Sequence, residues 1–185
     1  MSAPNSANVS VGKPLAAGGI FAGPTTATIP TDATTALTGF TGLGYVSEDG
    51  LTNTVETDTE SIQAWGGDTV LTVRTSRTET FAWTFIETNA DVLAEVYGPD
   101  NVSGDLESGL TVIHNNKELP RRAYVFEILM TGDRVKRIVV PNGQITEVGD
   151  VVYTDGEAIG YEVTLSTFPD EDGNTVYEYV ASAGE

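Results

Sequence analysis

The stretch from Val70 to Ile86 carries the clearest alternation in the chain. On an extended backbone Phe81, Trp83 and Phe85 fall on one side, and Thr78, Thr80 and Thr84 on the other. Such a strand needs a packed core against its aromatic face and water against its hydroxyl face. The run is long for one strand, so a bend or bulge is expected near Arg74 to Arg77.

The segment that follows reads as a short helix. Thr88 is expected as its cap with Asp91 three residues on, in a capping-box-like pattern. Val92, Leu93, Val96 and Tyr97 share one face, and Gly98-Pro99 stops the helix. A helix this short is marginal alone and must pack on something. The Phe81/Trp83/Phe85 face is the natural partner, so Phe81, Trp83, Phe85, Leu93 and Val96 are the expected core.

Most of the remainder also reads as β-structure. Strands are expected at about 38–47, 109–114 and 119–131, the last with Tyr124, Phe126, Ile128 and Met130 in alternation. Thr131-Gly132-Asp133 turns the chain into Arg134 to Val140, and Pro141-Asn142-Gly143 is expected to turn it again. Gln144 to Val148, Val151 to Tyr153 and Thr175 to Val180 are further short candidates, the last after a turn at Asp170 to Asn174. Between Gly160 and Phe168, Tyr161, Val163 and Leu165 alternate with Glu162, Thr164 and Ser166. The fold class is therefore mainly β, a sandwich or barrel with one short flanking α-helix.

Residues 1–36 are rich in Ala, Pro, Gly, Ser and Thr and show no apolar period, so an extended arm is expected there. Residues 37–185 form the β domain. Within it, about 47–64 reads as a long acidic loop containing Glu48, Asp49, Glu56, Asp58 and Glu60. The last three recur at every second position and would share one face if extended.

Of 185 residues, 27 are acidic and 9 basic, for a net charge of −18. From Met1 to Val73 the only basic residue is Lys13. Such a surface repels nucleic acid and anionic membranes. The chain lacks cysteine, which excludes disulfides, a thiol nucleophile and thiolate metal sites. No stretch reads as a signal peptide or is apolar enough to anchor the chain in a membrane. Asn8-Val9-Ser10 and Asn101-Val102-Ser103 fit the glycosylation sequon, without a secretory context to make them acceptors.

Nothing assembles into a catalytic or metal site. The single histidine, His114, stands beside two asparagines and reads as an exposed turn residue. Asp170, Asp172 and Asn174 resemble the start of a calcium loop, but Thr175 and Ala181 occupy the places where Gly and Glu are needed. Glu56, Asp58 and Glu60 could hold a hard cation or supply paired carboxylates for glycoside hydrolysis. A solvated loop or a subunit contact suits them better in so acidic a chain. Arg121-Arg122 and Lys136-Arg137 form a small basic patch that could meet the acidic loop of a neighbouring copy. No cofactor is implied. A carbohydrate-binding or adhesin-like β-sandwich is the alternative reading, and it needs an exposed aromatic platform to which only Trp65 could contribute. A β-sandwich hydrolase is third.

The run Leu43-Gly44-Tyr45-Val46-Ser47-Glu48-Asp49-Gly50, the acidic stretch and Ile62-Gln63-Ala64-Trp65-Gly66-Gly67-Asp68 together resemble major tail tube proteins of siphophages, especially those infecting actinobacteria. Phe81-Ala82-Trp83, the helix from Thr88 to Tyr97 and Gly98 continue the resemblance, which covers about 40–100. It implies a structural virion protein with a tail tube β-sandwich and a flanking helix. It implies hexameric rings stacked into a tube through which DNA passes without specific binding. Tape measure, tail terminator and distal tail proteins would be its partners, with assembly in the host cytoplasm and the tail tube of the virion as its place. On that reading Thr78, Thr80, Thr84, Glu162, Thr164 and Ser166 face the lumen, and the acidic loop meets the next ring.

Overall fold

A computed structural model describes residues 4–15 and 18–182. In chain order the elements are β1 (Gly12–Pro14), β2 (Ile20–Pro24), β3 (Thr41–Gly42), β4 (Thr52–Gln63), β5 (Thr69–Phe85), α1 (Ala90–Tyr97), β6 (Val102–Asp105), β7 (Gly109–Val112), β8 (Arg122–Met130), β9 (Arg134–Val148), β10 (Tyr161–Thr167) and β11 (Tyr177–Ser182). Nine strands join one antiparallel sheet whose main path is β3-β2-β8-β9-β10-β5-β4, with β1 beside β8 and β11 beside β9. β6 and β7 make a separate hairpin.

The sheet closes on its own aromatic side chains. β5 and β8 stand three places apart in the order, about 14 Å across a flat sheet. Yet Phe81 on β5 stacks on Phe126 of β8 at 5.1 Å between ring centres, and Trp83 meets Phe126 edge-on at 5.4 Å. The sheet must therefore curl into two facing layers. β9 makes the curl: Arg134 to Val139 pair with β8 and β11, while Gly143 to Val148 pair with β10. The expected turn at Pro141-Asn142-Gly143 is instead a bend inside this strand, where the pairing with β8 shifts between Arg122 and Tyr124. Proline fits there because an irregular pairing does not need its missing N–H.

All five expected core residues are buried, together with Tyr161, Val163 and Leu165 from β10. Each is worth roughly 1.5–3 kcal/mol against exposure. Helix α1 packs its apolar face into this core. Asn89 caps it, not Thr88: the Asn89 side chain accepts from the Val92 amide at 2.9 Å. Thr88 is drawn away to the Tyr161 hydroxyl at 3.1 Å. The helix is also held by polar contacts. Buried Glu95 pairs with Arg122 and accepts from the Tyr124 hydroxyl at 2.7 Å. Burial raises the Glu95 carboxyl above its ordinary value, while the Arg122 charge and the Tyr124 bond pull the other way.

Three expectations are corrected. The arm over 1–36 includes sheet strands: β1 and β2 both pair with β8, and Ile20 and Ala22 are buried. Residues 1–3 and 16–17 of that arm lie outside the described residues. The sequence hid this because Ile20-Phe21-Ala22-Gly23-Pro24 is too short to show a period. Residues 32–35 cover the outer side of β8 and β9, where Arg137 donates to the Asp32 and Thr35 carbonyls at 2.9 and 2.8 Å. Arg137 is itself buried against Glu127. The strand expected at 38–47 shrinks to Thr41–Gly42 and a lone bridge from Val46 to Phe85, because Gly39 and Gly44 take positive φ. Residues 151–153 are loop, not strand, with Val151 partly buried against the core and Val152 and Tyr153 exposed.

Candidate assembly surface

The stretch 47–64, expected as a loop, is largely strand. β4 spans Thr52–Gln63 and pairs with β5 almost throughout. It has no apolar alternation to announce it because every residue in it is exposed. β5 is exposed from Thr69 to Thr78 and becomes core only from Glu79 onward. The outer part of this hairpin therefore leaves the domain with both faces in water. The outer edge of β4 ends the sheet and pairs with nothing among the described residues.

The point of departure is fixed by Glu79. Its buried carboxylate accepts from Arg77 at 2.8 Å, from the Thr175 hydroxyl at 3.1 Å and from the Asn53 amide at 3.2 Å. Beyond it the ladder slips between Asp58 and Thr59, which face Ser76 and Arg74 and leave Thr75 bulged out. This is the irregularity expected near Arg74 to Arg77.

Pairing register assigns the faces. Thr84, Ala82 and Thr80 lie opposite Glu162, Thr164 and Ser166 of β10, and Thr80 and Thr78 lie opposite Thr54 and Glu56 of β4. Asp58 follows opposite Ser76, whose hydroxyl donates to it at 2.7 Å. Thr78, Thr80, Thr84, Glu162, Thr164 and Ser166 thus share one solvent-facing side, and Glu56 and Asp58 continue it. Glu60 keeps the same side of β4, two residues on. Glu48 and Asp49 stand apart, in the turn before β4, with Asp49 accepting from the Ser47 hydroxyl at 3.3 Å. The six polar positions and the acidic row, read from the sequence as two separate regions, form one hydroxyl-rich, acidic face.

The other side of the hairpin carries Val55, Thr57, Thr59, Arg74 and Arg77. The hairpin is therefore acidic on one face and partly basic on the other.

The basic patch expected at 121–122 and 136–137 is dispersed and used internally. Arg122 pairs with Glu95, Arg137 with Glu127, Lys136 with Glu178 at 2.9 Å, and Arg121 lies over the Phe168 ring at 4.0 Å. Three of the four are paired with carboxylates of the same subunit, and Arg121 alone has no acidic partner among the described residues. His114 is exposed and lies against Tyr97, ring centres 4.3 Å apart. Asp170 accepts from the Asp172 and Asn174 amides at 3.0 and 2.9 Å and from the Tyr177 hydroxyl at 2.6 Å. Its carboxylate thus ties the turn together through these donors. Among the described residues no cluster of His, Asp or Glu could hold a metal ion, and no helix is long and apolar enough to cross a membrane.

A long open sheet edge, a hairpin with both faces in water and a continuous polar face are features of a subunit whose surfaces are completed by assembly. Residues 3–184 match the family described as phage tail tube protein, and the chain belongs to that family. It is thus a structural component of the phage virion, of the kind that assembles with copies of itself and with other tail proteins, and the family is not one of enzymes. No curated protein matches the chain. Among solved structures it is similar to the anti-feeding prophage cap, described as a tube-terminating cap, at 14% identity over 94% of this chain and 96% of that one, with a TM-score of 0.43.

Proposed function

We propose that the protein forms hexameric rings that stack into the hollow tail tube of a siphophage, of the type infecting actinobacterial hosts, and that the genome leaves through the bore. One observation carries this reading. The β4–β5 hairpin stands in water on both faces and along one edge, although a two-stranded ribbon is at best marginal by itself. Pairing its edge with a neighbour in the ring would satisfy the open N–H and C=O groups and close the polar faces into one barrel.

In that arrangement Thr78, Thr80, Thr84, Glu162, Thr164 and Ser166 line the bore. Glu56, Asp58 and Glu60 extend the lining toward the next ring. Short hydroxyl side chains keep the wall wetted, and carboxylates repel phosphate, so DNA slides without binding. Glu48 and Asp49 lie near the ring contact. Tape measure protein occupies the bore before ejection, and terminator and distal tail proteins close the two ends. Assembly in the host cytoplasm precedes incorporation into the virion.

The test is light scattering after size exclusion at rising concentration, with salt added to screen the charge, followed by negative-stain microscopy. Six-fold rings and hollow tubes are expected. A protein that stays monomeric throughout overturns the reading.

A further inference from the structure

A groove opens on the outer face of the β8–β9–β11 layer. Register sets its side. Tyr177 and Tyr179 of β11 lie opposite Val139 and Arg137 of β9, and the residues next to these, Ile138 and Val140, point into the core. Both tyrosines therefore stand on the side away from the core. The hydroxyl-rich, acidic face is the solvent side of the β10–β5 layer, so the two faces lie on opposite sides of the subunit. The tyrosine rings are parallel, with 1° between planes and 6.5 Å between centres. Both are half-buried, and together they line an open groove of about 860 Å³. Thr25, Ile29 and Thr31 line it as well, with the 169–172 turn, Arg121 and the β9 bend at 141–142.

The negative faces of aromatic rings attract the polarised C–H groups of a sugar ring. Polar side chains around such a platform then hold the hydroxyls. Here those side chains are of both kinds. Arg121 only donates, Glu171 and Asp172 only accept, and Asn142 does both. Arg121, Glu171 and Asp172 are exposed. The Arg121 guanidinium rests over the Phe168 ring, and the bonds that tie the 170–174 turn go to Asp170 and not to the Glu171 or Asp172 carboxylates. A hydroxyl donates and accepts, so a polyol satisfies this mixed set without bringing charge. Asp170, the remaining charged group of the groove, holds the platform: the Tyr177 hydroxyl donates to it at 2.6 Å and accepts from the Asn174 side chain at 2.9 Å. The Tyr177 ring is thus set before a ligand arrives, which lowers the ordering cost of binding. Three carboxylates against one guanidinium repel phosphate, so nucleic acid and anionic lipid are disfavoured.

We infer that this groove binds a neutral polysaccharide, with Tyr177 and Tyr179 as the stacking platform. Trp65, the one candidate for such a platform in the sequence, is not among its residues. The inference goes beyond tube formation and does not need it, since one subunit supplies the whole groove. In a tube whose bore is the hydroxyl-rich face, the groove faces outward. Many weak sites repeated along a tail then act together on a surface that carries the polysaccharide, so avidity exceeds the affinity of one groove.

The experiment uses the full chain as soluble subunits, with mannan, galactan, arabinan and a soluble glucan as probes. At least one should slow the protein in affinity electrophoresis. The same one should shift the ring-proton resonances of Tyr177 and Tyr179, a readout that needs no variant. Tyr179→Ala should weaken binding at least about tenfold, one decade being about 1.4 kcal/mol. Tyr179→Phe keeps the ring and should bind like the wild type. Glu171→Gln keeps an acceptor and should also bind like the wild type, and added salt should change nothing, because the ligand carries no charge. No shift at either tyrosine with all four probes, or full binding by a folded Tyr179→Ala, overturns the inference. So does salt-sensitive binding of an arginine-containing proline-rich peptide in place of every polysaccharide, which makes the groove a peptide site. Tubes that fail to bind a polysaccharide which the free subunit binds overturn the outward placement. Binding by a chain that never forms tubes sustains the inference and overturns the tube reading.

Discussion

Glu162 on β10 lies directly opposite Thr84 on β5, both on the solvent side of a ladder whose other side is Trp83 and Val163. Changing Glu162 to Lys should therefore leave the subunit folded, within about 0.5 kcal/mol of the wild type, as checked by urea unfolding. Rings should still form. If the face lines the bore, the change adds one positive charge per subunit there, and virions carrying it should eject DNA more slowly. Unchanged ejection kinetics would remove this face from the bore.

The hairpin should be dispensable for folding and required for assembly. Deleting 58–76 and joining Thr57 to Arg77 through Asn-Gly, a two-residue turn suited to a hairpin, keeps the bonds from Arg77 and Asn53 to Glu79. Circular dichroism and the cooperativity of unfolding should be retained, with stability changed by about 1 kcal/mol or less. Tubes should be absent by microscopy. Normal tubes from this variant would contradict both the ring and the stacking contacts.

Glu95 and Tyr124 give a stability term with a defined pH dependence. The folded Glu95 carboxyl lies above its ordinary value of 4.5. Its contribution is therefore fully present below that value and is lost as pH rises through the raised one. Tyr124→Phe removes a donor that matters most to the ionised carboxylate, and should cost about 1–3 kcal/mol at pH 7. The cost should shrink at pH 4. Urea unfolding at the two pH values decides it, and an equal loss at both would show that the Glu95 carboxyl does not change its protonation between them.

Asp32 works in the opposite sense. The Thr35 hydroxyl at 2.5 Å and the Thr35 and Thr34 amides at 2.6 and 2.7 Å hold its carboxyl down at about 2, from 3.8. Its contribution is present above pH 3.8 and is lost as pH falls toward 2. Asp32→Asn should flatten the acid-unfolding curve between those limits and loosen residues 32–35 over Arg137. Hydrogen exchange at Thr34 and Thr35 is the direct measurement.

Gly44 should not tolerate a side chain. It takes φ +76°, and an added Cβ would fall 2.4 Å from the Glu87 carboxylate. That carboxylate accepts from the Tyr45 amide at 2.7 Å and the Asn89 side chain at 2.9 Å, joining the 44–45 turn to the helix cap. Gly44→Ala should destabilise by about 1–3 kcal/mol, measured by thermal unfolding.

The sequence made the core legible where one face is dry. Phe81-Ala82-Trp83-Thr84-Phe85 and Tyr161-Glu162-Val163-Thr164-Leu165 alternate because each strand has one packed side, and the structure buries the apolar member of each pair. The same rule hid β4. A strand wet on both sides has no apolar period to read, so Thr52 to Gln63 looked like a loop. β9 was hidden in the other direction, since Pro141 and Gly143 are turn residues that here serve a bend between layers. The basic residues looked like one patch because they are neighbours in sequence. Arg121 precedes β8 and Arg122 opens it, and their side chains go to different places, one over Phe168 and the other to Glu95.

The passage of β9 through both layers has a mechanical consequence. Arg134–Val148 is one uninterrupted chain that hydrogen-bonds to β11 and β8 in one layer and to β10 in the other. The two layers cannot shear past each other without breaking ladder bonds. A torque applied to the β10–β5 layer, where the hairpin emerges, reaches the β8–β11 layer along covalent bonds and not only through side-chain contacts. Built from such units, a long filament resists twisting within each subunit and concentrates its compliance at the joints between subunits.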